Sequence, residues 1–512
     1  MQVLTSVQEV VAWLQAQGVT RLVSDSRQVQ AGDAFVAWPG AANDGRQYVQ
    51  AALQAGAVAC LVEAQGAEAF DWGQAPVVAM PSLKLQAGPV ASAFENHPSH
   101  SLSVVAITGT NGKTSCAWWC TQWLTEMHEP VSMIGTLGAG SPAQGWAPTG
   151  LTTPNPLQMQ SLLRQFVNQG QRVCVMEASS IGIVEGRLHG TQIDLAVFTN
   201  LSQDHLDYHQ DMASYWEAKR ALFDWPGLKA AVVNIDDAHG MALAKRLSAE
   251  RTDLRLWTFS INPQLVSPAS HHLKVVQRQW TPTGIFVSLQ EDSPQGPSLA
   301  SAAFNVVGEY NLSNLLGVLA VLRWRGHALQ AATQVCRSLS AVPGRMQPAW
   351  TEAPHSVPLV LVDYAHTPDA VAQALHALQP LAQHRVGQLW CVLGCGGDRD
   401  KTKRPLMAAA AQRGADHVVL TSDNPRTEDP QAILQDMQAG IEQPEQAHVE
   451  LDRQKAIVWV VEHAQPQDVV LLAGKGHEEV QEVAGVKRPF SDVQEARKAM
   501  QSRALPVTGG AL

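Results

Sequence analysis

Gly109-Thr110-Asn111-Gly112-Lys113-Thr114-Ser115 decides how this chain is read, because of what flanks it. Upstream, Ser103-Val104-Val105-Ala106-Ile107 is a short β-rich apolar run, the pattern of a strand buried in a parallel sheet. Downstream, residues 117–127 contain neither Gly nor Pro and read as a helix. A glycine-bearing loop between the two lets backbone N–H groups close around a polyphosphate at a helix N-terminus, where the dipole favours anions. Lys113 would reach the β- and γ-phosphates, and the Thr114 hydroxyl would ligate Mg²⁺. The usual pattern has Gly where Ile107 stands. Strand and helix in the right places carry the nucleotide-binding expectation past that departure.

Composition frames the rest. At roughly 150 residues per domain, 512 residues suggest about three domains. Charged residues make up 16% and hydrophobic ones 45%, enough for each domain to bury a core. A net charge of −10 leaves no basic stripe to neutralise phosphates, which argues against a nucleic-acid scaffold. The seven cysteines (Cys60, Cys116, Cys120, Cys174, Cys336, Cys391, Cys395) are odd in number and lack a Cys-x-x-Cys pair, as expected of reduced thiols. No apolar run reaches membrane-spanning length, and Glu9 interrupts any leader-like start. A cytoplasmic enzyme without membrane insertion is therefore expected.

Three blocks emerge: 1–98, 99–342 and 343–512. The first mixes helical stretches with short strands at 21–24, 34–38, 57–62 and 77–80. The second alternates strands (172–177, 195–199, 230–234) with helices, then turns strand-rich over 254–307 before a helix at 311–325. The third alternates again, with strands at 359–363, 389–393, 417–421 and 469–473. The fold class is α/β: a smaller N-terminal α/β domain, a central mostly parallel sheet of phosphate-loop type with helices on both faces, and a Rossmann-like C-terminal domain. Ligands of such sheets bind beyond the carboxyl ends of strands, where the polar, Gly-rich segments of this chain fall.

Glu177 ends one strand and His205 follows another, so both are expected near Thr114. A carboxylate, an imidazole and phosphate oxygens suit a Mg²⁺ held mainly through substrate. Lys219 lies on an amphipathic helix, where a lysine is ordinarily a solvated charge. In the last block, Gly394 to Pro405 and Asp423-Asn424-Pro425-Arg426 each follow a strand. Arg399 and Arg426 supply the guanidinium pair that a dicarboxylic or zwitterionic substrate needs. Gly474-Lys475-Gly476-His477-Glu478 adds a loop carrying both charges.

Taken in order, these motifs resemble the ATP-dependent Mur ligases, and within them the branch that adds the third residue of the peptidoglycan stem peptide. The resemblance runs through Asp25-Ser26-Arg27, Asp44-Gly45-Arg46, Gly109 to Ser115, Thr152-Thr153-Pro154, Glu177 to Ser180, Asn200 to His209 and Lys219. Asn311, Arg345, Asp363 to Asp369 and the three C-terminal motifs complete it. It implies a UDP-MurNAc-binding first domain, a central ATPase and a C-terminal domain admitting the amino acid. By resemblance, Ser24, Ser26, Ala41, Ala42 and Asn43 would line the uridine nucleotide pocket. Thr152, Thr153, Ser179, Glu185 and Arg187 would hold the muramoyl-dipeptide. ATP would lie on Gly109, Thr110, Asn111, Gly112, Lys113, Thr114 and Ser115, with Asn311. Thr114 would ligate Mg²⁺, and a second Mg²⁺ would be held by Glu177, His205 and Lys219, the last as a carbamate formed from CO₂. Lys113 and Arg345 would act on the transferring phosphate, Arg345 on domain closure. Arg399, Asp423, Asn424, Pro425, Arg426, Gly474 and Glu478 would bind the amino acid. Leu151, Ile181 and Glu185 depart from residues common in the family.

Arg426 points to meso-diaminopimelate. It would pair the distal carboxylate that lysine lacks, whereas it would repel lysine's ammonium. The implied substrates are UDP-MurNAc-L-Ala-D-Glu and diaminopimelate, and a monomer is expected. A lysine-adding relative is the alternative within the family. A folylpolyglutamate-type synthetase would lack the first block and the Asp-Asn-Pro-Arg motif. A dead nucleotide-binding scaffold would have lost Lys113, Glu177, His205 or Lys219.

Overall fold

A computed structural model describes residues 1–504 apart from 41–42, 282–283 and 444–446. The chain divides into two compact units. One comprises 1–276, 289–300 and 313–335, and the other 277–288, 301–312 and 336–512.

In the first unit, β-branched and small residues build a five-stranded parallel sheet near the N-terminus. Its order is Gln2–Val3, Val77–Met80, Ala59–Glu63, Asp33–Ala37, Arg21–Val23. The larger sheet is centred on Ser103–Thr108, which lies between Val173–Glu177 and Leu195–Phe198, parallel to both. Val131–Gly135 continues it on one side, and Ala230–Asn234 and Arg255–Ser260 on the other. Because successive strands step to opposite sides of Ser103–Thr108, the crevice beyond its carboxyl end is a topological switch point. Ile107 is in register with both Glu177 and Val197, so the candidate residues at these strand ends emerge along one edge. One helix layer seals the sheet through Val104, Ala106, Met176, Phe198, Phe223 and Val233.

Ile107 is an interior strand residue, almost wholly buried, so no glycine is needed there. The bend falls to Gly109, at φ +148°, and Gly112, at φ +88°. A Cβ on Gly109 would meet the Thr199 hydroxyl at 1.9 Å, and one on Gly112 would meet Asn314 Oδ1 at 2.3 Å. The helix begins at Lys113, four residues before the sequence pattern suggests, and runs to Glu126.

The second unit contains a parallel sheet ordered Leu359–Asp363, Val469–Ala473, Leu389–Leu393, His417–Leu420, Ala447–Val449, with Gln347–Pro348 antiparallel on its edge. Arg453 and Asp492, both fully buried, form a two-bond ion pair under it. A hairpin, Val480–Val483 with Val486–Pro489, has no counterpart in the sequence reading. All seven cysteines are buried free thiols, and burial pushes the Cys120 thiol up to about 12. Among the described residues, no helix is long and apolar enough to cross a membrane.

Candidate active site

Oxygen and nitrogen donors converge at the end of the phosphate-loop strand. The Thr114 hydroxyl donates to Glu177 Oε2 at 2.9 Å. The Thr136 N–H donates to Glu177 Oε1 at 2.7 Å, and its hydroxyl to Oε2 at 3.2 Å. Glu177 is only 1% exposed, and these hydrogen-bond donors are neutral. None of these donors brings a positive charge to the buried carboxylate. Two hard oxygen donors side by side therefore fit a divalent cation such as Mg²⁺. Among the described residues, no group of three or more His, Cys, Asp and Glu side chains is arranged to hold a metal. A cation here would need ligands beyond such a cluster of side chains.

Lys113 Nζ and Lys219 Nζ both donate to the Gly109 carbonyl oxygen, each at 2.8 Å. Lys113 also reaches Thr110 O at 2.9 Å. The helix carrying Lys219, Met212–Arg220, is capped by Asp211, which accepts from Ser214 N at 2.7 Å, an arrangement worth about 1 kcal/mol. Lys219 is 1% exposed rather than solvated. Burial, and then the charge of Lys113, hold its amine well below the usual lysine range, against the opposing pull of Asp204. Its Nζ stands 4.2 Å from the centre of the Tyr215 ring. Tyr215, fully buried, joins Thr110 Oγ1 through its hydroxyl at 3.1 Å and meets the His205 ring edge-on at 6.2 Å. His205 itself is half exposed at φ +53°, with Nε2 3.6 Å from Asp204. Asn111 exchanges hydrogen bonds with Asn200, and Ser115 is buried in the first turn of the helix.

A second cluster in this unit gathers residues that the resemblance assigns to the dipeptide. Thr152 Oγ1 lies 3.0 Å from Thr136 Oγ1, which ties it to the Glu177 network. Thr153 donates to Glu177 O at 2.8 Å, and Arg187 Nη1 donates to Thr153 O at 3.1 Å. Ser179 caps the short helix Ser180–Val184 and accepts from Gly182 N at 3.0 Å. Glu185 pairs with Lys84 at 2.8 Å and accepts from the Tyr208 hydroxyl at 2.5 Å. Partial burial works to raise the Glu185 carboxyl, but these two partners hold it below its ordinary value. Of the expected uridine contacts, Ser24 and Ser26 are half-buried beside Asp25, which caps a short turn of helix. Asn43 is exposed, and Ala41 and Ala42 lie outside the described residues.

In the second unit the Asp-Asn-Pro-Arg segment is not a solvated turn. Asp423 and Asn424 are 7% exposed. Asn424 Nδ2 donates to Glu478 Oε2 at 2.7 Å, and its Oδ1 accepts from Lys475 Nζ at 3.1 Å and from Glu482 N at 2.9 Å. Arg426 adopts φ +54°, a conformation disfavoured for a non-glycine residue. Its N–H on Glu482 O at 3.0 Å and its Nη1 on Gly397 O at 2.6 Å hold it there. Arg399 is exposed, with Nη1 on Asp398 O at 3.4 Å. Gly474, at φ +112°, has no room for a Cβ, which would meet Asp423 Oδ2 at 2.7 Å. Arg345 lies 4.6 Å over the Tyr364 ring. Burial, and then Arg345, lower the nearby His477 to about 4. Asn311 is buried and donates to Val307 O at 2.8 Å.

The sequence reading did not single out Tyr215, Thr136 or Lys475 as functional. Tyr215 stands four residues before Lys219, one helical turn away on the same face, which is a usable signal. Thr136 follows a glycine at a strand end and offers none.

Three family descriptions match the chain: "Mur ligase family, catalytic domain" over 19–95, "Mur ligase middle domain" over 107–322 and "Mur ligase, glutamate ligase domain" over 344–476. Among similar proteins, the UDP-N-acetylmuramoyl-L-alanyl-D-glutamate–2,6-diaminopimelate ligase of Acidovorax sp. (strain JS42) is 48% identical over 510 residues, covering 98% of this chain and 99% of that one. The protein of the same name from Janthinobacterium sp. (strain Marseille) is 43% identical, covering 98% of each. A solved structure of a ligase with that name aligns at TM-score 0.66 and 35% identity, over 95% of this chain and 96% of the other. An ADP complex of the MurF ligase from Thermotoga maritima shares the fold at TM-score 0.63 and 18% identity, over 95% and 99%.

Proposed function

The chain belongs to the Mur ligase family, and from that premise we propose that it is an ATP-dependent ligase adding meso-diaminopimelate to UDP-N-acetylmuramoyl-L-Ala-D-Glu in peptidoglycan synthesis. The D-glutamyl γ-carboxylate attacks the γ-phosphorus of ATP, and the bond to ADP breaks. The amine of diaminopimelate then attacks the acyl phosphate, inorganic phosphate leaves, and the nitrogen gives up a proton. One amide bond is made for each ATP consumed.

The observation that carries the reading is the meeting of Lys113 and Lys219 on one carbonyl beside the Thr114–Glu177 pair. Two ammonium groups cannot share that oxygen without repulsion, and Lys219 is the more deeply buried. Its amine is therefore available as a neutral nucleophile. We assign to it addition to CO₂, which forms a carbamate and releases a proton. The carbamate turns a cation into an anion beside the Glu177 carboxylate. Thr114, Glu177, the Lys219 carbamate and His205 are our proposed Mg²⁺ ligands. Mg²⁺, when bound, offsets charge on the phosphoryl oxygens. Lys113 and the loop N–H groups supply the remaining electrostatic stabilisation, which dominates phosphoryl transfer. Thr152, Thr153, Ser179 and Arg187 orient the dipeptide, and Arg426 selects the amino acid through its distal carboxylate. We assign the reaction to the cytoplasm and the active species to the monomer.

The test is phosphate release with ATP and Mg²⁺. Turnover should require UDP-MurNAc-L-Ala-D-Glu and meso-diaminopimelate together. Equal turnover with lysine, or turnover with a folate and glutamate instead, would overturn the substrate assignment.

A further inference from the structure

Lys475 is a fully buried lysine set among acidic and amide groups that the proposed amino-acid site needs. Its Nζ lies 3.1 Å from Asn424 Oδ1, 3.2 Å from Glu478 Oε2 and 3.6 Å from Asp423 Oδ1. With no exposed surface, it does not touch substrate. Its effect runs through its neighbours. The Asn424 amide has two possible orientations, and two donors, Lys475 Nζ and Glu482 N–H, converge on one of its atoms. That atom must be the oxygen, so the amide nitrogen faces Glu478 and donates to Oε2 at 2.7 Å. Glu478 thus has Oε2 loaded by an ammonium and an amide. Among the described residues Oε1 accepts no hydrogen bond, and the side chain is 29% exposed. The arrangement holds one carboxylate oxygen and leaves the other to accept from a ligand.

Resting on the reading above, we propose that Lys475 is the positioning residue of the amino-acid site: it locks Asn424 and Glu478 so that Glu478 Oε1 receives an ammonium group of the incoming amino acid. Without Lys475, the Asn424 amide loses one of the two donors that oppose its flip, and the Glu478 carboxylate swings toward the space left behind. Amino-acid binding then weakens, while the phosphate loop, in the other unit, is untouched.

The experiment is steady-state kinetics on full-length Lys475→Met and Lys475→Gln, varying each substrate in turn. The KM for meso-diaminopimelate should rise roughly tenfold or more, the scale of a lost charge-assisted hydrogen bond, with the smaller rise in Lys475→Gln, which keeps one donor. The KM values for ATP and for the UDP-linked dipeptide should stay within about twofold. A fall in kcat with all KM values unchanged, or a uniform rise in all three, marks a merely structural lysine and overturns the proposal. Should Lys475→Met not fold, Lys475→Met/Glu478→Gln removes the stranded carboxylate as well. Compared with Glu478→Gln alone, it should add less than about threefold to that KM, because a residue acting through Glu478 is non-additive with it. A further tenfold rise would overturn the proposal. If wild type does not use diaminopimelate at all, the substrate assignment fails instead, a result the wild-type control reads separately.

Discussion

Two buried lysines, one in each unit, have nearly the same exposure and opposite surroundings. Lys219 is 1% exposed and faces a carbonyl, an aromatic ring and another lysine. Lys475 is 0% exposed and faces two carboxylates and an amide oxygen. Burial alone therefore does not define what a lysine does. Without an anionic partner the desolvated ammonium is disfavoured, and the neutral amine becomes a nucleophile. With two carboxylates it is an ion pair whose value lies in geometry. On the roles proposed above, the first lysine reacts and the second holds its neighbours.

The largest effects belong to the reactive side of that contrast. Lys219→Ala should lower turnover by roughly a thousandfold or more, because the proposed carbamate ligand is lost. Short carboxylates in millimolar excess should restore part of it. Wild-type turnover in Lys219→Ala would remove the contrast altogether. Lys113→Ala and Thr114→Ala should each cost about a hundredfold or more in kcat, read by single-turnover phosphate release. Normal ATP hydrolysis in either variant, with both co-substrates present, would show that the loop does not work as assigned.

On the holding side the effects should appear as specificity. A bidentate Arg–carboxylate bond in a water-poor site discriminates by a few kcal/mol, so Arg426 should favour diaminopimelate over lysine by on the order of a hundredfold. Arg426→Ala should lose most diaminopimelate kcat/KM while lysine use falls less or rises. An unchanged ratio would leave the strained φ of Arg426 without a functional reason. Arg399, exposed and lightly bonded, should act more weakly: Arg399→Ala should raise the amino-acid KM with little change for ATP.

What the sequence made legible follows from what each pattern encodes. Apolar β-branched runs located the strands 77–80, 230–234, 359–363, 389–393 and 469–473 to the residue, because a doubly covered parallel strand has few other compositions. Gly138–Ser141 and Gly145–Ala147, glycine-rich and short, carry no such periodicity and were not anticipated. The phosphate loop was readable as a motif, but its helix start was not, since the positive φ of Gly112 lets Lys113 begin the helix directly. Burial of Lys219 was invisible: its helix looks amphipathic and polar, and only the tertiary approach of Gly109 encloses it. The Asp-Asn-Pro-Arg segment could pass for an ordinary turn, because its burial comes from Lys475 and the hairpin at 480–489, both remote in sequence.

The smallest expected effect tests the electrostatics of Lys219 without catalysis. Its folded-state amine lies well below 10.5, with burial the main cause. Between the folded and unfolded values the unfolded chain binds the extra proton, so folding stability rises with pH across that window. Below the folded value both states carry the proton, and the buried cation costs the most. Lys219→Met, similar in shape and uncharged, should therefore melt at a higher temperature than wild type near neutral pH in CO₂-free buffer. That gap should narrow steadily as pH approaches 10.5. Adding bicarbonate should narrow it further at fixed pH, in wild type only, because CO₂ adds to the neutral amine of the folded chain and so draws the equilibrium toward it. The measurement is thermal unfolding of both proteins from about pH 6 to about pH 10, a range chosen to bracket the shifted titration. A gap that is constant with pH, or a variant less stable than wild type throughout, would mean that the ammonium is accommodated after all. The two lysines would then differ in their neighbours but not in their chemistry.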